Sequence, residues 1–306
     1  MHFLSLAGRA FFLGSAAVVL LARAIPSRIA EAAYRYGKTL GANEDTFSSW
    51  SVDVLVRKAT VPKRYFTHFY VFATVWVASL IVLVTSARPN SWPLILQTQR
   101  RASECGAPLD AILCLVLMQI QAARRLIECL SWVSASRSAA RMHVAHYLLG
   151  FLFYAFAPLT LIASNLHSLA GQSQRQAHWV PGLLDQVQPR HLAAIVIFLH
   201  ASYNQNRCHA VLASLRGAGQ SASYKLPRAP WFRVLACPHY FFEVEIYLAM
   251  TVIHLGCLEG MVNAACIAAF VLIELGVVAQ DNKRWYEQHF PKETPKKWWC
   301  IIPFIF

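Results

Sequence analysis

The chain has 306 residues, of which 57% are hydrophobic and only 14% charged, with 28 Lys and Arg against 15 Asp and Glu and a formal net charge of +13. A soluble globular domain carries about 25% charged residues, so a shell this poor in charge cannot cover a water-exposed surface. That excludes a soluble enzyme, a disordered chain and a disulfide-stapled secreted module, and leaves an all-α integral membrane protein. The basic balance then belongs to loops at the membrane surface rather than to nucleic acid, because no basic block or zinc-finger spacing occurs.

Taken in chain order, apolar runs at 3–22, 65–86, 108–122, 143–164, 191–203, 240–257 and 260–280 predict a bundle of about seven transmembrane helices. A spanning helix needs about 20 mostly apolar residues. The second, fourth and seventh runs meet that length, whereas the third and fifth are short and must be extended by neighbouring turns. The first run contains Arg9 and has no convincing cleavage site before Pro26, so it reads as a signal anchor. Basic residues alternate between the loops. Arg88, Arg100, Arg101, Arg175 and Arg190 fall on one side, and every other Lys and Arg except Arg9 falls on the opposite side. This asymmetry predicts a lumenal N-terminus and a cytosolic C-terminus. No linker or repeat interrupts 1–306, which reads as a single membrane-embedded domain. The eight cysteines show no CxxC or metal-ligand spacing. Several, such as Cys114 and Cys266, lie in apolar runs and are expected to be small hydrophobes in reduced surroundings.

Ionisable residues within or beside spans are costly and therefore functional candidates. His68 lies between Tyr65 and Tyr70 at the start of the second run. Glu128 follows Arg124 and Arg125 at four and three residues, which puts all three on one helical face. Glu243 and Glu245 interrupt the sixth run and Glu274 the seventh; Asp110, His143, His146, Tyr147, Tyr154, His200 and His254 complete the set. For each, the structural alternative is an interhelical hydrogen bond or an interfacial anchor. Soluble-enzyme motifs contribute little. Gly217, Gly219 and Ala222 match GxGxxA without a preceding strand, and no P-loop, HExxH or GxSxG is present.

Six ordered segments carry a resemblance: VPKRYFTHFY at 61–70, RYGKT at 35–39, RRLIE at 124–128, HVAHY at 143–147, RCH at 207–209 running to LR at 215–216, and the ending from PKK at 295–297 to IPFIF at 302–306. From about residue 20 to the end, the chain resembles the polyprenol reductase branch of the steroid 5α-reductase family. The resemblance implies a multi-pass enzyme of the endoplasmic reticulum membrane that uses NADPH. Its substrate would be a polyprenoid lipid whose α-isoprene double bond is saturated on the way to dolichol, the carrier for N-glycosylation. It further implies a cofactor-binding C-terminal half, about 143–306. There Gln205 and His209 face the nucleotide, Arg216 binds a phosphate, and Tyr224-Lys225 replaces a Tyr/His-Arg pair. His239 to Glu243 matches an Asn-x-x-x-Glu segment with His for Asn. Trp285-Tyr286 matches an aromatic pair before the tail, where the family has His at the position of Asn282 or Lys283. Lysine at 225 keeps the charge but loses the bidentate fork of arginine.

Hydride adds to the β-carbon of a C=C bond only when that bond is polarised, most simply by conjugation to a carbonyl. An acid must then hydrogen-bond the oxygen as enolate charge develops. The direct substrate is therefore expected to be the polyprenal aldehyde, or the alcohol after oxidation. His68 is the expected catalytic acid, with Tyr65 and Glu128 next. Competing readings are an isoprenylcysteine methyltransferase-like enzyme using S-adenosylmethionine, a 3-oxo-Δ4-steroid 5α-reductase, and a non-catalytic lipid-binding relative.

Overall fold

The computed structural model describes residues 3–24, 59–86, 92–99, 105–133, 141–173, 179–215 and 225–306. It is nearly all helical, in the order α1 (Phe3–Ala24), β1 (Thr60–Pro62), α2 (Phe66–Ser86), α3 (Leu94–Gln99), α4 (Pro108–Glu128), β2 (Arg141–His143), α5 (Val144–Ile162), α6 (Leu166–Ser173), α7 (Trp179–Leu184), α8 (Pro189–Ser214), α9 (Pro238–Ile253) and α10 (Leu258–His289). Among the described residues, four helices are long and apolar enough to cross a membrane: Phe3–Ala24, Lys63–Ser86, Val144–Ala170 and Leu258–His289. The other three expected runs fall on α4, α8 and α9. These helices carry polar faces, and two outrun the apolar stretch that marked them. α4 continues to Glu128 instead of 122, and α8 to Ser214 instead of 203. Their extra turns carry polar residues on the sides that face one another.

Local chemistry fixes the starts of these helices. Proline occupies the first turn of α4, α8 and α9, where its missing N–H costs nothing. The Asp110 carboxylate accepts from the Ala107 amide at 3.4 Å and the His191 ring from the Gln188 amide at 3.0 Å, so each helix satisfies one of its orphan donors. Pro158 sits inside α5 and removes one ladder donor.

α1 packs as an integral part of the bundle. Its inner face (Ser5, Gly8, Phe12, Ala16) is buried against α5 and α10, and a Cβ at Gly8 would overlap the Thr160 side chain. Arg9, the charge inside the first run, donates to Asn263 Oδ1 at 2.7 Å and to the Glu259 carbonyl at 3.0 Å. At the opposite end of α1, Arg23 pairs with Asp281 at 3.2 Å. A charge in the first run is thus held by α10 rather than by solvent.

The two ends of the bundle differ. At one end β1 pairs antiparallel with β2, Thr60 opposite His143, tying the entries of α2 and α5 together. At the same end the tail lies along the start of α9: Trp299 N–H donates to Val234 O at 3.0 Å and Ala236 N–H to Trp299 O at 2.8 Å. At the other end a disulfide joins Cys105, before α4, to Cys257, before α10. The expectation of reduced cysteines is overturned for this pair. A separation of 152 residues concealed it, and the fold brings the two Cα atoms to 5.3 Å, within bridging range. Cys114, Cys129, Cys208, Cys237, Cys266 and Cys300 are buried free thiols, as expected of small hydrophobes. Beside the disulfide, the buried Asp110 carboxylate accepts from Arg190 at 3.1 Å and from His191 Nε2 at 2.8 Å. Arg190, expected as a loop charge, is therefore part of an interhelical ion pair.

Candidate active site

The end of the bundle away from the disulfide contains a buried ionic network built on α4. Helical spacing puts Arg124, Arg125 and Glu128 on neighbouring positions of one surface, and both guanidinium groups bond the Glu128 carboxylate. That carboxylate, 3% exposed, is shared between two sides. Its Oε1 takes Arg124 and the Asn206 amide at 2.8 Å; its Oε2 takes Arg125 and lies 2.8 Å from His209 Nδ1. His209 Nδ1 also lies 2.7 Å from Arg125 Nη1. It can donate to the carboxylate or accept from the guanidinium, but not both in one tautomer.

A second carboxylate extends the network. Glu243 Oε2 on α9 accepts from Gln121 at 3.2 Å and from Gln205, whose amide also donates to the His239 carbonyl at 3.2 Å. Gln205 Oε1 takes Arg124 and, at 3.2 Å, Gln121. On the α2 side, Arg125 Nε donates to the Tyr70 hydroxyl at 3.2 Å and its guanidinium carbon stands 5.1 Å from the centre of that ring. Tyr70 packs edge-on against Tyr154 of α5 at 5.8 Å. Two arginines thus face two glutamates, with the remaining lone pairs occupied by neutral amides and an imidazole. Buried charges tolerate the bundle interior only when satisfied in this way.

Of the expected site residues, the structure brings together Glu128, Gln205, His209, His239 and Glu243. His209 and His239 have ring centres 5.5 Å apart. His68 and Tyr65 lie elsewhere: their rings stack at 4.6 Å, and His68 Nδ1 is 2.9 Å from the Tyr147 hydroxyl on an exposed face between α2 and α5. Among the described residues, no hydrogen bond links them to Glu128. Two residues along a helix turn a side chain by about 200°, so the α2 residue that reaches the network is Tyr70. Asn282 donates to the Val278 carbonyl at 3.0 Å on its own helix, and Lys283 lies 3.7 Å from Glu287. Tyr286 is buried beside Trp298 at 5.8 Å, under the tail. Lys225 is exposed. Arg216 and Tyr224 lie outside the described residues. Sequence reasoning did not place Gln121, Asn206 or Tyr70 in the site. Neutral amides carry no charge signal, and Tyr70 is legible only once the helical phase of α2 is known.

The network can do three things. Its carboxamides and imidazole offer directional recognition of a polar heterocycle or amide, its guanidinium groups stabilise developing negative charge, and the Tyr70 hydroxyl can donate a proton or hydrogen bond. A profile of the family described as 3-oxo-5-alpha-steroid 4-dehydrogenase matches residues 170–306. Polyprenal reductase 1 of Oryza sativa subsp. indica is 29% identical over 289 residues, covering 81% of this chain and 80% of that protein. Polyprenal reductase of Mus musculus is 28% identical over 318 residues, covering 93% and 89%. Polyprenal reductase 1 of Arabidopsis thaliana is 27% identical over 273 residues, covering 82% and 83%. The ordered motifs, the apolar helices and these matches agree: the chain is similar to the steroid 5α-reductase family, whose profile matches its C-terminal part, and to polyprenal reductases along most of its length.

Proposed function

We propose that this chain is an NADPH-dependent polyprenal reductase that saturates the α-isoprene double bond in dolichol synthesis. The observation that carries the reading is the charge-balanced network around Glu128, set within apolar helices, in a chain similar over most of its length to polyprenal reductases. NADPH, when bound, would supply the hydride. The donor set suits such a group: Gln205, Asn206 and His209 would meet its polar heterocyclic part, and the basic loop holding Arg216, Lys225 and Arg228 would take its phosphates. In the structure Arg228 pairs with Glu293 at 2.6 Å across an exposed surface, a bond weak enough to exchange for a phosphate.

The chain's own residues then handle the carbonyl end. Hydride addition at the β-carbon moves the electron pair onto the aldehyde oxygen, where Tyr70, held by Arg125, donates a hydrogen bond. The proton that completes the saturated aldehyde is delivered to the α-carbon. Glu128 keeps both arginines in place and is a positioning group in this scheme.

The topology proposed with this function is seven spans in the endoplasmic reticulum membrane, with the C-terminus in the cytosol. Two independent features support it. Basic residues collect at the end of the bundle that holds the network, and the disulfide lies at the other end, as an oxidising lumen requires. The deciding experiment is incubation of the purified protein in detergent with NADPH and either polyprenal or polyprenol, with lipid products read by mass. A gain of two hydrogens on polyprenal supports the reading. No reduction of either lipid refutes it.

A further inference from the structure

The substrate class raises a packing problem that the structure answers. A polyprenoid tail is far longer than any space inside a helix bundle, whose interior is close-packed. The tail must remain in the bilayer while the head reaches the ionic network, so the bundle needs a lateral opening at the level of that network. We propose that this opening is the groove between α4 and α8, and that it binds the first isoprene units of the substrate; this inference rests on the polyprenal reading above.

The groove has a volume of about 380 Å³ and runs along α4. Small-molecule pockets span about 300–1,000 Å³, so it holds the head-proximal part of a prenyl chain and no more. Its walls are apolar: Ile120, Ala123, Ile127 and Trp132. Ile120 is 47% and Ile127 64% exposed, which in a membrane-embedded bundle means they face lipid. Its base is polar, formed by Arg124, Glu128 and Asn206. α8 packs along α9 and is joined to α4 through side-chain bridges, Arg124 to Gln205 and Asn206 and His209 to Glu128. Bridges of this kind leave a gap where two apolar helices would interlock. Just beyond Glu128 the helix widens into a π-turn (Cys129–Val133), a feature associated with functional sites, and this turn carries Trp132 to the groove.

An apolar wall with N–H donors at its base suits a prenyl chain ending in a carbonyl. The chain gains burial against Ile120 and Ile127, and its head lies against the polar base, from which it passes the Asn206–Glu128 bond to reach Tyr70. The two Glu128 oxygens face opposite sides, Oε1 toward the groove and Oε2 toward Arg125, which in turn holds Tyr70. The base of the groove is therefore the outer face of the network that holds Tyr70. Of the bonds across that face, the Asn206 amide to Glu128 is one that opens without leaving an unpaired charge, because both arginines stay on the carboxylate.

The test is Ala123→Trp, which fills the groove from a half-buried wall position without touching the packed core. The expected result is a rise of about tenfold or more in KM for polyprenal at near-normal NADPH affinity, the signature of lost substrate binding. Val75→Trp, on an exposed position of α2, is the control and should behave as wild type. A wild-type KM in Ala123→Trp overturns the proposal. In parallel, a prenyl aldehyde carrying a diazirine on its second isoprene is photolysed with the wild-type protein. Label in residues 120–132 or at Asn206 supports the groove, and label confined to residues elsewhere overturns it. If wild-type protein fails to reduce polyprenal, the functional reading falls, and the photolabelling arm still decides whether the groove binds a prenyl chain.

Discussion

Tyr70 and His68 stand two positions apart in the same motif, and the helix assigns them to opposite worlds. Tyr70 is buried against Arg125, whereas His68 is exposed and bonded to Tyr147. Loss of a catalytic acid lowers kcat by about 10²–10⁴-fold. Tyr70→Phe is accordingly expected to lose turnover by that factor with NADPH affinity near normal, while His68→Gln keeps most of its activity. The reverse pattern would return the acid role to His68. The sequence drew attention to His68 because an imidazole beside a span is costly and conspicuous. A tyrosine in an aromatic-rich run is neither, and its hydroxyl becomes meaningful only next to a guanidinium from another helix.

At the level of elements, α1 shows how an apparent anchor becomes part of the scaffold. Its close approach to α5 depends on Gly8, where any Cβ collides with the stiff, buried side chain of Thr160. Overpacking of this kind costs about 1–3 kcal/mol. Gly8→Ala should lower the thermal midpoint in detergent, and adding Thr160→Ala should restore much of the loss in a double-mutant cycle. Additivity of the two losses would show that the contact is not what holds α1. The apolar run that marks α1 was readable from composition. The small face that aims it at Thr160 was not, since Ser5, Gly8 and Ala16 look unremarkable until their 3–4-residue spacing is set against a partner. The same applies to α4 and α8, whose last turns were missed because hydropathy registers the lipid-facing side of a helix and not a polar side satisfied by its neighbours.

Across the whole molecule, one end is stapled and the other holds the proposed site. Removing a native disulfide costs typically about 2–5 kcal/mol in small domains. Cys105→Ser or Cys257→Ser should reduce thermal stability measurably, with the stronger effect on the end containing the Asp110–Arg190–His191 cluster. Unchanged melting of both variants would mean the pair is not bridged in the membrane. Orientation is checked separately: a tag placed after Phe306 should be removed by protease added outside intact microsomes, and a protected tag would reverse the topology.

Composition was enough to determine a helical chain with apolar, membrane-suited helices and the positions of its apolar runs, because these follow from the free energy of placing each residue type in lipid or water. The ordered motifs were enough to point to the family that the chain resembles. Which charges neutralise which, that Cys105 meets Cys257, and that Tyr70 rather than His68 faces Arg125 were decided by tertiary structure alone. Each depends on the relative phase and depth of two or more helices, and a one-dimensional pattern records the face of a single helix but not the partner that the face meets.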